Sequence, residues 1–357
     1  MNNDQKKPLV SIIILNYNAG SLLLDCINSI LKTNYQNYEI IIVDNESNDH
    51  SHTKCKEKFP DIQLIENTKN LGYCEGNNVG IRKAKGDYII VLNPDTIVDP
   101  MWLDHLLSAY EKCGAGLYQP KILSLHEKNI LQSTGNMIHL FGFGFSRDKG
   151  VQDYHQTNIE EIGYASGTCL FTSASIFEQL NLFDPFIFLY HDDLDLGWRA
   201  KQKGLKSYFV PESIIYHYES YSLKWSQKKF FWLERNRRYC LKTHYSKETF
   251  KKIRFYLFLN ELLVWIFYIS KGYFFAKLKA EINLMKNKDH IIKKYADIES
   301  DKIISDIDII MSFPDKIMVP KNVSEGIMSR TFIKIIEKLS FKAKMKLHYK
   351  GMNMQDS

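Results

Sequence analysis

Short apolar runs alternate with amphipathic stretches over the first hundred residues of the chain. Residues 10–15, 38–43 and 88–92 are rich in β-branched side chains and show no polar face, which is typical of buried central strands. Segments with helical spacing of apolar residues lie between them and are joined to them by short links. This alternation predicts an α/β fold with a doubly wound, mixed and mainly parallel sheet.

Further elements follow in the same manner. The pattern predicts a helix over 102–113, strands over 116–122 and 161–172, a helix over 192–203, and two short strands over 207–210 and 213–216. Residues 124–160 are polar and irregular and predict a mobile loop, including the run Phe141-Gly-Phe-Gly-Phe145.

Polar residues follow the central strand directly, where Asn93-Pro94-Asp95 ends the apolar run. Open α/β sheets bind ligands at the carboxyl ends of their strands, so Asp95 is predicted to lie at a ligand-binding edge. A carboxylate with an amide neighbour suits a divalent cation and a phosphate. An ordinary surface turn is the alternative, because Asn, Pro and Asp are common turn residues.

A second acidic group stands at the head of the 192–203 helix. Asp192, Asp193 and Asp195 fall within four residues, which exceeds what charge complementarity at a helix N-terminus requires. Closely spaced carboxylates raise one another's pKa, and a raised pKa suits a general base. His217 follows a predicted strand and is either a structural histidine or a metal ligand.

Composition excludes several classes of protein. The six cysteines show no Cys-x-x-Cys pair, which indicates a reducing compartment and neither a zinc site nor a disulfide framework. The N-terminus has no apolar signal region. The strand ends carry neither a G-x-G-x-x-G fingerprint nor a Walker lysine loop, so dinucleotide oxidoreductases and P-loop NTPases fit poorly.

The charge is unevenly distributed along the chain. From Tyr221 onward there are 28 Lys and Arg against 14 Asp and Glu, whereas the preceding part has 19 against 27. Residues 255–269 are strongly apolar but include Asn260 and Glu261, so the stretch is short and interrupted for a membrane span. It predicts a helix lying on an anionic membrane surface rather than a nucleic-acid-binding segment.

A second apolar stripe, near the C-terminus, is surrounded by lysines. A helix packed as a cap on the preceding domain is the alternative to membrane contact for this stripe. The stripe consists of Phe332, Ile335, Ile336, Leu339 and Ala343.

Eight motifs in register resemble glycosyltransferase family 2, with the GT-A fold, and most of all its rhamnosyltransferase-like branch. The likeness runs along residues 8–240 and implies a catalytic domain over 1–240 and a basic, helical, membrane-associating region over 241–357. The motifs are Val10-Ser-Ile-Ile-Ile-Leu-Asn-Tyr-Asn18, Ile41-Ile-Val-Asp-Asn45, Asn70-Leu-Gly-Tyr with Gly76-Asn-Asn-Val-Gly80, Leu92-Asn-Pro-Asp95, Ser166-Gly-Thr-Cys-Leu170, Phe183-Asp184, Tyr190-His-Asp-Asp-Leu-Asp-Leu-Gly-Trp-Arg199, and Val210-Pro-Glu with Tyr216-His217.

The resemblance also implies roles for individual residues. Asp193 matches the catalytic base, with Asp192 as the alternative, and Asp95 with His217 matches a site for Mn²⁺ or Mg²⁺. The set that matches nucleotide-sugar contacts is Tyr17, Asp44, Asn70, Gly72, Asn78, Asn93, Trp198 and Arg199. Two positions depart from the family pattern: Asn93 replaces the first aspartate of the D-x-D metal motif, and Asp192 replaces a glutamate.

The expected function is inverting, metal-dependent transfer of a sugar from a nucleotide-diphosphate donor, with L-rhamnose as one candidate. The expected acceptor is a hydroxyl of a lipid-linked or surface-polysaccharide glycan, at the cytoplasmic face of the cell membrane. Peripheral attachment is expected, with a single membrane segment over 255–269 as the alternative. An inactive nucleotide-sugar-binding scaffold and a sugar-1-phosphate nucleotidyltransferase are the other candidate functions.

Overall fold

A mixed sheet of ten strands organises the first two thirds of the chain in the computed structural model, which describes residues 7–218, 226–318 and 327–352. A separate pair, β8 and β9, forms a small hairpin. The strands are β1 (Val10–Asn16), β2 (Tyr38–Asp44), β3 (Gln63–Glu66), β4 (Tyr88–Leu92), β5 (Thr96–Val98), β6 (Gly116–Ser124), β7 (Leu131–Ser133), β8 (Asn136–Ile138), β9 (Gly144–Ser146), β10 (Glu160–Ile162), β11 (Cys169–Ser173) and β12 (Lys206–His217).

The main strand order is β10-β12-β6-β11-β4-β1-β2-β3, with β5 beside β12 and β7 beside β6. Strands β4, β1, β2 and β3 are parallel, whereas β11 is antiparallel to both β4 and β6. The prediction of a doubly wound, mixed sheet is therefore confirmed. The two strands predicted over 207–216 form one strand, β12, whose register against β6 shifts between Val210 and Ile214.

Helices cover both faces of the sheet. Alternate residues of β1 face opposite ways: Ile12 and Ile14 pack with α1 and α4, and Ile13 packs with the α3, α5 and α6 side. Both faces are buried, which explains the unbroken apolar runs. The helices are α1 (Ser21–Ile30), α2 (Ser51–Lys58), α3 (Gly72–Ile81), α4 (Trp102–Cys113), α5 (Ala174–Gln179), α6 (Asp192–Gln202), α7 (Gln227–His244), α8 (Lys247–Ser270), α9 (Phe274–Lys286), α10 (Lys288–Asp301), α11 (Asp306–Ser312) and α12 (Ile327–Met352).

The C-terminal helices are continuous with the sheet domain. The predicted boundary at residue 240 falls inside α7, and one hydrophobic core extends from β1 to α12. Trp198 of α6 stacks on His244 of α7 with ring centroids 4.6 Å apart and meets Phe313, which follows α11, edge-on at 5.3 Å. The helical region thus completes the core behind α6.

The segment 124–160 is more ordered than predicted. It contains β7, β8 and β9, and Phe141 in the predicted mobile run is fully buried. The carbonyl of Leu140 accepts a hydrogen bond from Tyr245 at 2.7 Å, and the carbonyl of Phe141 accepts one from Arg237 at 3.0 Å. These partners lie about a hundred residues away in sequence, so the local pattern gives no sign of them.

The C-terminal stripe is divided between two environments. Ile336 and Ala343 are buried where α12 packs on α8, and Phe332 contacts Phe267 of α8 with ring centroids 5.8 Å apart. Ile335 stays exposed. The packed-cap interpretation therefore holds for the inner side of this stripe, and the prediction that the whole stripe meets a membrane is wrong.

Helices α7, α8 and α9 are joined by a buried group of charges around Lys277. This side chain is inaccessible to solvent, and its ammonium group donates to Glu234, to Glu261 at 2.8 Å and to Glu281 at 2.8 Å. Arg237 also donates to Glu234 and Glu261. Every donor of the ammonium group has a carboxylate acceptor, which is the condition under which buried charges are tolerated.

Replacing Lys277 should therefore destabilise the helical region strongly. We expect Lys277→Ala to lower the free energy of unfolding by about 3–5 kcal/mol, because it leaves three carboxylates without their shared cation. Lys279→Ala, two residues along on the exposed side of α9, is the matched control and should change stability by less than about 0.5 kcal/mol. Urea denaturation measures both, and equal small losses would contradict a structural role for the network.

Candidate active site

Asp95 and His217 meet at the carboxyl end of the central strands. β5 and β12 pair so that His217 lies opposite Thr96, and the Tyr218 amide donates to the Asp95 carbonyl at 2.9 Å. These contacts bring the Asp95 Oδ2 atom to 3.3 Å from the His217 Nε2 atom. The structure therefore brings together the two residues predicted as metal ligands.

Gln132 of β7 fixes the orientation of the His217 ring. Its amide nitrogen donates to the His217 carbonyl at 2.9 Å, so its amide oxygen faces the ring and lies 2.7 Å from Nδ1. Nδ1 then carries a proton, and Nε2, which faces the Asp95 carboxylate, is the nitrogen that can either donate to that carboxylate or bind a cation. A histidine held by a hydrogen bond at its other nitrogen is the usual arrangement of a metal ligand.

This pair fits a divalent ion. Two ligands at right angles around an octahedral Mg²⁺, each about 2.1 Å from the ion, are about 3 Å apart, close to the separation here. Within the described part of the chain, no lysine or arginine lies within 4 Å of Asp95. A cleft of about 550 Å³ opens beside Asp95 and is bordered by Asp25, Lys32 and Leu125.

The turn Ser166-Gly-Thr168 links the Asp95 corner to the acidic helix. The Thr168 carbonyl accepts from the Asn93 amide at 3.0 Å, and the Gly167 amide donates to Asp193 Oδ2 at 3.0 Å. A Cβ atom at Gly167 would lie 2.8 Å from the Tyr73 hydroxyl oxygen and 3.1 Å from Asp192, so glycine is required for this approach. The metal corner and Asp193 are therefore held at one edge by a single turn.

Asp192 and Asp193 differ in their surroundings although they are neighbours. Burial and the charge of Asp193 raise the pKa of Asp192 well above its usual value. Burial also raises the pKa of Asp193, but the amides of Gly167 and Leu194 donate to its two oxygens at 3.0 and 2.8 Å and oppose the shift. Asp193 is therefore the carboxylate that ionises first as the pH rises.

The backbone before α6 is strained. Phe188, Tyr190 and His191 adopt φ angles of 63°, 64° and 64°, in the left-handed region that is costly for residues with a Cβ atom. Asn236 of α7 restrains this segment, because its buried amide nitrogen donates to the carbonyls of Ile187, Leu189 and Tyr190 at 3.1, 2.8 and 2.7 Å. Asn236 thus positions the start of the acidic helix and was not predicted.

The predicted nucleobase contacts lie on neighbouring loops. Tyr17 is 45% exposed after β1. Asp44 is buried below it, where its oxygens accept from Asn16 at 2.7 Å and from the Ser47 amide at 2.9 Å. Asp44 therefore braces two loops from within, and its direct contact with a base stays a prediction.

Asn45, a residue that was not singled out, organises the loop that contains Asn70 and Gly72. Its amide nitrogen donates to Asn70 and to the Gly72 carbonyl, and its amide oxygen accepts from Asn67 and Leu71. Gly72 has a φ of 77°, and a Cβ atom there would lie 2.6 Å from the Phe188 carbonyl oxygen. The loop 67–72 is thus pinned to the end of β2 and to the strained segment.

Three of the predicted donor contacts lie in the interior instead. Asn78 is 1% exposed, and its amide group bonds the Phe183 backbone in both directions, at 2.9 and 3.0 Å. Trp198 is 1% exposed beneath α6, and Arg199 is bound to Asp195 at 2.7 and 2.8 Å. Their side chains are used within the core, so the structure assigns them positioning roles. Asn93 is half-buried, and its side chain makes no hydrogen bond within the residues described.

Residues 11–180, slightly under half of the chain, match the model of glycosyl transferase family 2. The N-acetylglucosaminyl-diphospho-decaprenol L-rhamnosyltransferase of Mycobacterium tuberculosis is 26% identical over an alignment of 238 positions, which covers 60% of this chain and 77% of the relative.

Two solved structures share the fold. GalNAc-T7 with UDP, GalNAc and Mn²⁺ gives a TM-score of 0.60 at 20% identity, over 73% of this chain and 51% of that one. S. aureus TarS 1-349 gives a TM-score of 0.50 at 13% identity, over 96% of this chain and 91% of that one.

The sheet order, the polar strand edge and these likenesses define a glycosyltransferase of the GT-A fold. Over residues 11–180 the chain resembles glycosyltransferase family 2, and it is similar to a rhamnosyltransferase.

Removal of the Asn236 amide tests its positioning role. We expect Asn236→Ala to lower kcat by about 10- to 100-fold, because displacement of a catalytic group by about 1 Å has losses of this size. The acidic limb of the pH–rate profile should also move, since the surroundings of Asp192 and Asp193 change with the loop. Thr243→Ala, on the same helix and also buried, is the control for destabilisation alone. An unshifted profile in both variants would show that Asn236 only supports the fold.

Proposed function

We propose that this glycosyltransferase moves a sugar from a nucleoside-diphosphate donor to a hydroxyl acceptor, with inversion at the anomeric carbon. The observation that carries the proposal is the corner of Asp95, His217 and Gln132, joined by the turn 166–168 to Asp193. The negative charge that develops on a leaving diphosphate requires a cation site, which the corner would supply. The proton on an attacking hydroxyl requires a base close to that site, which Asp193 would supply.

Asp95 and the Nε2 atom of His217 would hold a divalent ion, Mn²⁺ or Mg²⁺. Such an ion supplies positive charge to the diphosphate as it departs. Tyr17, Asn70 and Gly72 border the neighbouring loops, where we place the nucleoside. Asn93 lies between the two sites, and its free amide group suits a phosphate or sugar oxygen without adding charge.

Asp193 would act as the general base. Its carboxylate takes the proton of the acceptor hydroxyl while that oxygen forms a bond to the anomeric carbon and the bond to the diphosphate breaks. The two amide donors keep Asp193 ionised beside the more deeply buried Asp192. Asp192 is the alternative base, and its raised pKa means that it holds a proton over a wider pH range.

We further propose that the acceptor is a glycan, in lipid-linked form or as part of a surface polysaccharide, because the mycobacterial relative is named for an acceptor of that kind. The β8–β9 hairpin is placed to contact it, since His191 at the start of α6 bonds the Gly142 carbonyl at 3.3 Å. L-Rhamnose is one candidate sugar.

The base assignment gives a pH prediction. Because burial raises the pKa of Asp193, activity should rise with pH through a limb above 3.8, the ordinary value for aspartate. Asp193→Asn should lower turnover about 100-fold or more while donor binding survives. Asp192→Asn should keep most activity and leave the limb close to its wild-type position, because Asp192 is still protonated and uncharged when Asp193 ionises. The reverse pattern in pH–rate profiles would assign the base to Asp192.

The metal assignment is tested by donor binding and hydrolysis. Purified protein is incubated with UDP-, GDP- and dTDP-sugars, with Mn²⁺, with Mg²⁺ or with EDTA. Asp95→Ala should weaken donor binding in metal and change little in EDTA. Gln132→Ala should weaken metal affinity about 10- to 100-fold, the range for loss of a hydrogen bond that orients a ligand.

Three outcomes would contradict the proposal. Equal loss of donor binding with metal and with EDTA would remove Asp95 from the metal site. Donor binding without hydrolysis or transfer, in every metal and with an acceptor present, would favour the inactive scaffold. Release of pyrophosphate from a nucleoside triphosphate and a sugar 1-phosphate would favour a nucleotidyltransferase.

A further inference from the structure

Helix α8 carries two apolar stripes on opposite sides. The inner stripe is buried against α7, α9 and α12 and consists of Ile253, Leu257, Val264 and Tyr268, together with Asn260. The outer stripe follows the same helical spacing but is open to solvent. Its members are Phe255, Phe258, Leu262, Ile266 and Ile269, which are 45–60% exposed. A surface helix of a globular protein ordinarily carries polar residues on its outer side.

Helix α9 extends the outer stripe. It follows α8 after a short turn at residues 271–273, and the rings of Trp265 and Phe274 lie 5.9 Å apart across the two helices. Its own exposed apolar residues recur at helical spacing and are Phe275, Leu278, Ile282 and Met285. We call the exposed apolar residues of both helices the α8–α9 face. An exposed apolar surface of this extent marks a site of interaction.

The exposed charges between residues 250 and 288 are all positive, whereas Glu248 and Asp289, just outside this interval, are exposed carboxylates and Glu248 pairs with Lys252. Between residues 250 and 288 the side chains with exposed charge are Lys251, Arg254, Lys271, Lys279, Lys286 and Lys288. The two acidic residues in this interval, Glu261 and Glu281, bind Lys277 on the inner side. Helix α12, which packs on α8, likewise exposes Lys334, Lys338, Lys342 and Lys346 at intervals of four residues.

We propose that the α8–α9 face docks on an anionic lipid bilayer, with both helices lying in the plane of the headgroups. Aromatic and aliphatic side chains would enter the boundary of the acyl chains, and the surrounding lysines would meet lipid phosphates. A second copy of the chain is a poor partner, because a two-fold contact would oppose the same positive charges to one another.

The geometry favours lying on the bilayer over crossing it. By length and composition, α8 is apolar enough to span a membrane. Its inner side, however, is occupied by protein, and Glu261 binds Lys277 at 2.8 Å and also Arg237 within the buried network. Crossing the bilayer would separate these charges, which is costly in hydrocarbon. Interfacial docking leaves the network intact.

Vesicle flotation of the full chain, without donor or metal, tests this docking independently of catalysis. With vesicles of phosphatidylcholine and about one third phosphatidylglycerol, the protein should float at low salt and less completely at high salt. Phe258→Ser with Phe275→Ser should lower the partition coefficient by about tenfold or more. Lys271→Glu with Lys279→Glu should do so chiefly at low salt. The controls are Ile303→Ser, which removes an apolar residue 73% exposed outside the face, and Lys54→Glu on α2.

Three results would overturn the proposal. The first is a full chain that stays in the soluble fraction at low salt. The second is flotation that the face variants reduce no more than the controls do. Flotation that resists both high salt and carbonate counts here too, because α8 would then span the bilayer. The third is a stable oligomer in light scattering that the face variants disperse. Donor hydrolysis by the unbound variants should remain, so failure of docking is distinguishable from failure of the enzymatic proposal.

Discussion

The hydrogen bonds from Asn236 to the carbonyls of Ile187, Leu189 and Tyr190 are the constraint on which the active-site edge depends. They restrain the segment in which Phe188, Tyr190 and His191 adopt left-handed φ angles. The same segment receives the Tyr73 amide at 2.6 Å, which anchors the start of α3 and the loop before it. One buried amide in α7 therefore fixes the origin of both the acidic helix and the loop assigned to the nucleoside. The boundary at residue 240 that the resemblance implies therefore cuts through α7, the helix that carries Asn236.

The parts of this arrangement that could be predicted are those coded locally. Apolar runs predicted the central strands. Polar residues after β4 and at the head of α6 indicated the edge of the sheet that carries both Asp95 and Asp193. Gln132 and Asn236 could not be found this way, because their partners lie 85 and 46–49 residues away and neither occupies a distinctive local pattern. The resemblance transferred positions for Asn78, Trp198 and Arg199 but not the direction of their side chains, which depends on packing between α3, α6 and α7.

The described part of the chain contains two groups of Gln, His and Asp with similar geometry, and a comparison of the two shows why we assign a metal to only one of them. In the interior, the amide oxygen of Gln202 lies 2.9 Å from His244 Nδ1, and its amide nitrogen donates to the His244 carbonyl at 2.9 Å. His244 Nε2 lies 3.0 Å from Asp195. Gln132, His217 and Asp95 have the same arrangement. Asp195 is already paired with Arg199, which together with His244 opposes its burial and lowers its pKa. Asp95 has no lysine or arginine partner among the described residues, which leaves its carboxylate available to a cation from solution. The same side-chain geometry is thus structural at Asp195, where Arg199 supplies the positive charge. At Asp95, where no guanidinium is present among the described residues, it suits a metal ion.

The buried network around Lys277 bears on the outer surface as well as on stability. It draws Glu261 of α8 and Glu281 of α9 inward to join Glu234 of α7, so between residues 250 and 288 the acidic side chains hold these helices to α7. The lysines and arginine that remain outside are then unopposed, and they surround an apolar stripe with the spacing of one helix face. A uniformly positive rim repels a second copy and attracts a layer of phosphate groups. The inward pairing therefore leaves α8 and α9 with a surface that favours an anionic bilayer over a second copy of the chain. It also fixes α7, the helix whose Asn236 positions the segment before Asp192 and Asp193.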